Sequence, residues 1–190
     1  MTAPDPGVIA AIIRTAGQVD RKWVGAVPAA GDETHTPWMP FQLFAFIALL
    51  AEAMPEITLP ADGRRPLMLE IGAGPGTKML IARELFGLDV RGIERTDEYA
   101  AAARSMGLPV VTADAAAWAD FSAELIWFNR VFREPAAELA LEARLYELAP
   151  PGTVVMCANL ESRPPMSWYP VLDSWAGERR GIWQKPFASV

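Results

Sequence analysis

The chain holds one cysteine, Cys157, and one histidine, His35, among 190 residues. A single cysteine excludes a disulfide framework within the chain. One histidine and one cysteine leave almost nothing from which to build a His/Cys zinc site, so no metal is expected. Ser-His-Asp and Cys-His nucleophiles are disfavoured too, because His35 would have to serve every such role. An excess of positive charge is also missing. The net charge is −6, a poor match to the phosphates of nucleic acid, although a local basic patch could survive it. Long apolar runs are absent. Leu43 to Ala51 is nine residues, about half of the roughly 20 that cross a bilayer as a helix. The opening MTAPDPGVIA lacks the charged start and apolar stretch of a signal peptide. These absences predict a cytoplasmic protein without membrane contact, where a lone reduced cysteine is ordinary.

What is present suits one globular domain: 52% hydrophobic and 21% charged residues, enough chain to bury a core without staples. Residues 1–62 read as an N-terminal helical extension or lid. Helices are predicted over 8–19 and 40–54, joined by VGAVPAAGDETHTPWMP, a Pro- and Gly-rich loop carrying His35 and Trp38. Residues 63–190 read as the core. Short apolar runs at 67–71, 90–94, 109–113, 125–128 and 153–158 alternate with helical patterns at 77–86, 97–106 and 134–148. The last of these helices carries Leu141, Leu145 and Leu148 on one face. Strands alternating with helices at this spacing predict an α/β fold: a three-layer Rossmann-like sandwich on a mainly parallel sheet. The last thirty residues carry three of the seven tryptophans and four prolines. They show no clear helix, and a short hairpin turning near Ala176-Gly177 is expected.

The informative segment is Glu70-Ile71-Gly72-Ala73-Gly74-Pro75-Gly76-Thr77, between a strand and a helix. Glycines there permit a sharp turn and close approach of a ligand to bare backbone, and the helix start offers unpaired N–H groups. Spacing separates the ligand classes. A nucleotide phosphate loop needs G-x-x-x-x-G-K-[ST]; here Thr77 stands where the second glycine belongs and Met79 follows Lys78. A dinucleotide loop needs G-x-G-x-x-G, and here the third glycine comes one residue early. Glu70, two residues before the first glycine, is a poor neighbour for a pyrophosphate and a good one for a cationic ligand.

That combination resembles the first motif of the class I S-adenosylmethionine-dependent methyltransferases: an acidic residue, then x-G-x-G-x-G, between the first strand and helix of a Rossmann-like sheet. The resemblance covers about residues 66–159. It implies S-adenosylmethionine as cofactor and S-adenosylhomocysteine as product. It implies cofactor-binding roles for Glu70, Gly72, Ala73, Gly74 and Gly76, for Glu94 with its neighbour Arg95 at the ribose, and for Asp114 with its neighbour Ala115 at the adenine. Trp118 could pack on that ring. Asn129, ending the fourth strand, is implied as a cofactor contact and as the catalytic candidate facing the acceptor. The sequence Asn129-Arg130-Val131-Phe132 lacks the two prolines that often follow such an asparagine in members acting on nitrogen. The family sheet ends with a sixth and a seventh strand, the last antiparallel, and this tail suffices only for an abbreviated version, leaving room for a second copy of the chain to complete the acceptor site.

Methyl transfer from a sulfonium is an in-line displacement with a leaving group already activated by its charge. The enzyme mainly has to hold the acceptor close, in line and away from water. The expected function is therefore a methyltransferase with an unidentified acceptor, a small molecule being preferred over nucleic acid. The competing readings are a binding or regulatory protein that kept the fold and lost the chemistry, and a nicotinamide-dependent oxidoreductase. Lys78 reads as a solvated lysine at a helix start, with the cofactor carboxylate as its other possible partner. Arg130 and Arg133 read as partners of nearby carboxylates. The tail aromatics Trp168, Tyr169, Trp175 and Trp183 read as cover for the sheet.

Overall fold

Two helices precede the first strand in a computed structural model of the chain, which describes residues 5–24, 26, 38–174 and 180–188. α1 (Pro6–Trp23) starts on Asp5, whose carboxylate accepts the Gly7 N–H, and carries Arg21 and Lys22 in its last turn. This is favourable start and stop chemistry, and it extends the helix beyond the predicted 8–19 at both ends. α2 (Leu43–Ala53) buries Phe46, Leu49, Leu50 and Ala53 and runs into a 3-10 turn over Met54–Glu56. His35 lies outside the described residues.

The alternating region follows the predicted order: β1 (Leu67–Ile71), α3 (Thr77–Phe86), β2 (Asp89–Glu94), α4 (Asp97–Ser105), β3 (Val110–Thr112), β4 (Leu125–Asn129), α5 (Pro135–Leu148) and β5 (Val154–Ala158), then β6 (Tyr169–Ser174) and β7 (Arg180–Gln184). One seven-stranded sheet has the order β3-β2-β1-β4-β5-β7-β6. Its first five strands are parallel, and β7 runs antiparallel between β5 and β6. The tail therefore forms the expected hairpin and both late strands; the turn at Ala176-Gly177 and Trp175 lie outside the described residues. Pro170 is tolerated because β6 is an edge strand with an irregular register between Pro170 and Leu172.

Side chains of successive strand residues alternate between the two faces of the sheet. Met68, Trp127 and Met156 pack with α1, α2, α3 and α4 on one face. Leu69, Ile71, Ile126, Phe128, Val155 and Cys157 pack on the other against α5 and the tail. Trp168 and Trp183 are buried in that second cluster, with the Trp168 ring 5.4 Å from Tyr146, whereas Tyr169 is exposed. The predicted leucine face of α5 needs one correction. Leu141 and Leu145 are buried but Leu148 is 44% exposed; the buried stripe runs instead through Glu138, Leu141, Glu142 and Leu145. Lys185 holds the far end of α5, its Nζ donating to the carbonyls of Tyr146, Glu147 and Ala149 at 3.0, 2.8 and 2.7 Å. Among the described residues no helix is long and apolar enough to cross a membrane.

Register positions the site. Ile71 pairs with Ile93 on one side and Phe128 on the other. Glu94 and Asn129 therefore stand one step beyond Ile71 on either side of β1, where the chain leaves the strand through Gly72.

Candidate functional site

The loop after β1 is fastened to β2. The Gly72 and Ala73 N–H groups donate to the Ile93 carbonyl at 3.0 and 2.9 Å. The Gly74 N–H donates to Glu94 Oε2 at 2.7 Å, and the Thr96 N–H donates to Glu94 Oε1 at 2.8 Å. Glu94 thus ties the glycine loop to the start of α4. Each of its oxygens keeps a lone pair for a further donor. Gly74 and Gly76 have φ of +54° and +81°, a region L side chains avoid. Close approach also requires them to be bare. A Cβ on Gly76 would lie 2.6 Å from Leu108 Cδ1, and one on Gly74 would lie 2.0 Å from Trp38 Nε1.

Beneath this loop lies a buried charge cluster. Glu70 is 3% exposed, and its Oε2 has no hydrogen-bond partner among the described residues. Burial drives its carboxyl well above the ordinary range, against the opposing pull of the Lys78 ammonium and the Met79 backbone N–H. Lys78 is not the solvated lysine expected at a helix start. It is 4% exposed, and burial pulls its ammonium downward. The reason is α1, which crosses α3 and places Asp20 Oδ2 3.7 Å from Lys78 Nζ. Asp20 is itself 8% exposed, and its Oδ1 has no partner among the described residues. Trp38 stands beside the cluster with its ring centroid 5.9 Å from Lys78 Nζ. Tyr99 of α4 fixes the surroundings, its ring 5.7 Å from Trp23 and 5.6 Å from Trp38.

At the end of β3 the Ala113 N–H donates to the Glu94 carbonyl at 3.0 Å, which brings Asp114 next to the β2 terminus. Asp114 is exposed and accepts the Ala116 N–H at 2.8 Å. Ala115 is buried, its carbonyl held by Arg144 at 2.6 Å, while Arg95 is exposed. Trp118 is half-buried. Its N–H donates to the Asp120 carbonyl at 2.7 Å, and the Arg91 guanidinium lies 5.8 Å from its ring.

The exits of β4 and β5 meet at a pair of asparagines. Asn159 Nδ2 donates to Asn129 Oδ1 at 2.7 Å. Both exits carry a non-glycine residue at positive φ, Arg130 at +32° and Asn159 at +57°, which marks local strain. Arg130 pairs with a nearby carboxylate, as expected, Glu161 at 2.6 Å. Two buried acids of α5 hold these exits in place. Glu138 Oε2 accepts the N–H groups of Val131 and Phe132 at 3.0 and 2.7 Å. Glu142 accepts those of Glu161 and Ser162, both at 2.7 Å. Burial raises both carboxyls, that of Glu138 to about 7. Sequence reasoning missed both acids, although 138, 141, 142 and 145 follow the i, i+3, i+4, i+7 spacing of one helix stripe.

Of the sequence-predicted residues, Glu70, Gly72, Ala73, Gly74, Gly76 and Glu94 form one connected group, with Asp114 and Ala115 to one side and Asn129 to the other. Lys78, for which the sequence also offered the cofactor carboxylate as a partner, joins that group, and Asp20 joins it from outside the prediction.

Comparison with known proteins identifies the fold. No protein-family model matches the sequence, and no curated protein matches it either. Solved structures do. An RNA methyltransferase from Salinibacter ruber in complex with S-adenosyl-L-homocysteine superposes with a TM-score of 0.60 at 18% identity, over 80% of this chain and 97% of that one. A phosphoethanolamine N-methyltransferase from Haemonchus contortus, in complex with S-adenosyl-L-methionine, gives 0.50 at 21% identity, over 63% of this chain and 28% of that one. The chain spans about half the length of several further matched structures. At such identities the likeness is one of fold. The fold is that of the class I S-adenosylmethionine-dependent methyltransferases, a Rossmann-like sheet closed by an antiparallel seventh strand.

Proposed function

We propose that the chain is an S-adenosylmethionine-dependent methyltransferase acting on a small-molecule acceptor. The observation that carries this reading is the acid at the glycine loop: Glu70 is buried under it with an Oε2 that has no partner among the described residues. A buried carboxylate needs a cation or donors to compensate it. A pyrophosphate seated on the loop would add like charge to it. A nucleoside with a cationic amino-acid end would supply the missing partner, so the residues fit that cofactor and not a dinucleotide.

S-adenosylmethionine supplies a methyl group on positively charged sulfur. The chain's own residues bind and orient. Glu70 holds the amino end, and the backbone of Gly72, Ala73, Gly74 and Gly76 lies against it. Glu94 accepts from the ribose hydroxyls with the lone pairs that Gly74 and Thr96 leave open, with Arg95 at its flank. Asp114 and Ala115 receive the adenine. Asn129, fixed by Asn159, faces the reacting end and the acceptor. Trp38, in the N-terminal extension, lies over Gly74. A small acceptor is supported by the net charge of −6 and by the pairing of Arg130 with Glu161, which neutralises the cation nearest the β4 exit.

Thermal unfolding with S-adenosylhomocysteine, with NAD and with neither tests the reading. A ligand at 100 times its Kd adds about 2.7 kcal/mol, a rise of roughly 5 to 11 °C at this size. The expected result is a rise with S-adenosylhomocysteine alone. A rise with NAD and none with S-adenosylhomocysteine overturns it.

A further inference from the structure

The exits of β4 and β5 are tied together more than once. The strand ladder runs to Asn129 opposite Ala158, and one step further Arg130 pairs with Glu161 at 2.6 Å. From α5, Glu138 and Glu142 hold backbone N–H groups of both exits. The hydrogen bond from Asn159 Nδ2 to Asn129 Oδ1 is therefore not needed to join them. It is also made where the backbone is strained. Arg130 and Asn159, at φ +32° and +57°, are the two non-glycine residues at positive φ among the described residues, and such outliers gather at working sites. The pair lies within reach of a ligand on the glycine loop. A Cβ on Gly72 would touch Val131, two residues past Asn129, at 3.6 Å, and neither asparagine is buried.

What this bond fixes is the direction of the Asn129 amide. With Oδ1 turned to Asn159, the Asn129 Nδ2 is turned away from it and has no partner among the described residues. Two N–H donors are left to face whatever approaches. We propose that Asn159 is a positioning residue that sets Asn129 with its N–H groups toward the acceptor, and that the accepting atom is therefore a hydroxyl oxygen and not an amine nitrogen. The assignment rests on the reading above that Asn129 faces the reacting end. A hydroxyl oxygen has two lone pairs, so one takes the Asn129 N–H while the other attacks the methyl group. An amine has one lone pair, which must attack, and its remaining N–H groups would face donors. A neutral hydroxyl also suits these exits better than a carboxylate does, since Glu138, Glu142 and Glu161 stand there against Arg130. In the transfer the oxygen's free pair forms the new C–O bond. The S–C bond breaks with its pair left on sulfur, and the hydroxyl proton passes to water.

The test uses two analogues that put opposite groups where the methyl stands: sinefungin, which carries an ammonium there, and the sulfoxide of S-adenosylhomocysteine, which carries an oxygen. Calorimetric titration of the full chain gives the affinity of each relative to S-adenosylhomocysteine. The unaltered chain is expected to favour the sulfoxide over sinefungin by about 10-fold, the effect of one or two hydrogen bonds. In Asn159→Asp the new carboxylate only accepts, so Asn129 keeps the bridge by turning its amide over and presenting Oδ1; the preference is expected to reverse. Asn159→Leu adds no charge and releases the amide, and is expected to bring the two analogues within about twofold of each other. A residue that merely steadied the exits would shift all three ligands alike. A preference for sinefungin in the unaltered chain, or a ratio that both variants leave unchanged, overturns the assignment and leaves the cofactor reading standing. The first of these measurements needs no variant and decides even where a variant fails to fold. Failure of S-adenosylhomocysteine to bind the unaltered chain overturns both.

Discussion

Glu94 Oε2 accepts the Gly74 N–H at 2.7 Å, so the acid that ends β2 holds the loop that follows β1. Its other oxygen takes the Thr96 N–H at 2.8 Å. One side chain thus shapes the cradle and, in the proposed function, contacts the ribose. Glu94→Ala leaves two backbone donors without their acceptor and should cost about 1 to 3 kcal/mol in urea unfolding. It should also weaken S-adenosylhomocysteine. Unchanged stability would contradict the structural role, and unchanged affinity would contradict the ribose contact.

The third glycine of the loop is constrained twice, by its φ of +81° and by Leu108 and Ala103, whose atoms a Cβ would meet at 2.6 and 2.9 Å. Gly87 has a φ of +69° but nothing within 4 Å of such a Cβ. Gly87→Ala should cost about 1 to 2 kcal/mol from backbone conformation alone. Gly76→Ala adds overpacking of about 1 to 3 kcal/mol. Equal losses in chemical denaturation would show that packing around Gly76 yields freely.

Glu138 carries the pH prediction. Its carboxyl is raised by burial from 4.5 to about 7, with Glu142 raising it further and the Val131 and Phe132 N–H groups and Arg130 opposing. A raised acid binds its proton more tightly in the folded chain. Its contribution to stability is full below pH 4.5 and is lost as the pH rises through about 7. The slope it adds is at most about 1.4 kcal/mol per pH unit. Glu70 acts in the same direction. Between pH 5 and 8 the Tm should fall less steeply for Glu138→Gln than for the unaltered chain. Identical slopes would contradict a raised Glu138.

Lys185 donates to three carbonyls at the end of α5. Lys185→Met should lower stability by about 1 to 2 kcal/mol through those acceptors and the helix dipole. A loss below a few tenths of a kcal/mol would mean that water replaces the ammonium without penalty.

Sequence reasoning reached the alternation of strands and helices because each unit is locally marked, for example by Gly87 after Phe86 and by the apolar run Leu67 to Ile71. It reached the glycine loop for the same reason. Lys78 shows where local signals end. Next to Thr77 at a helix start it reads as solvated, and only α1, more than fifty residues earlier, buries it against Asp20. Glu138 and Glu142 differ, since their stripe with Leu141 and Leu145 was visible. Attention to the leucines placed Leu148 on that face, where the structure exposes it. Arg91, whose guanidinium lies 5.8 Å from the Trp118 ring, is likewise a neighbour that local spacing does not reveal.

The most direct measurement is a crystal structure of the chain grown with S-adenosylhomocysteine and, separately, with NAD. The account predicts electron density for the nucleoside with its ribose on Glu94 and its amino end above Glu70. A diphosphate resting on Gly72 to Gly76, or a nucleoside bound elsewhere with that loop bare, would contradict it.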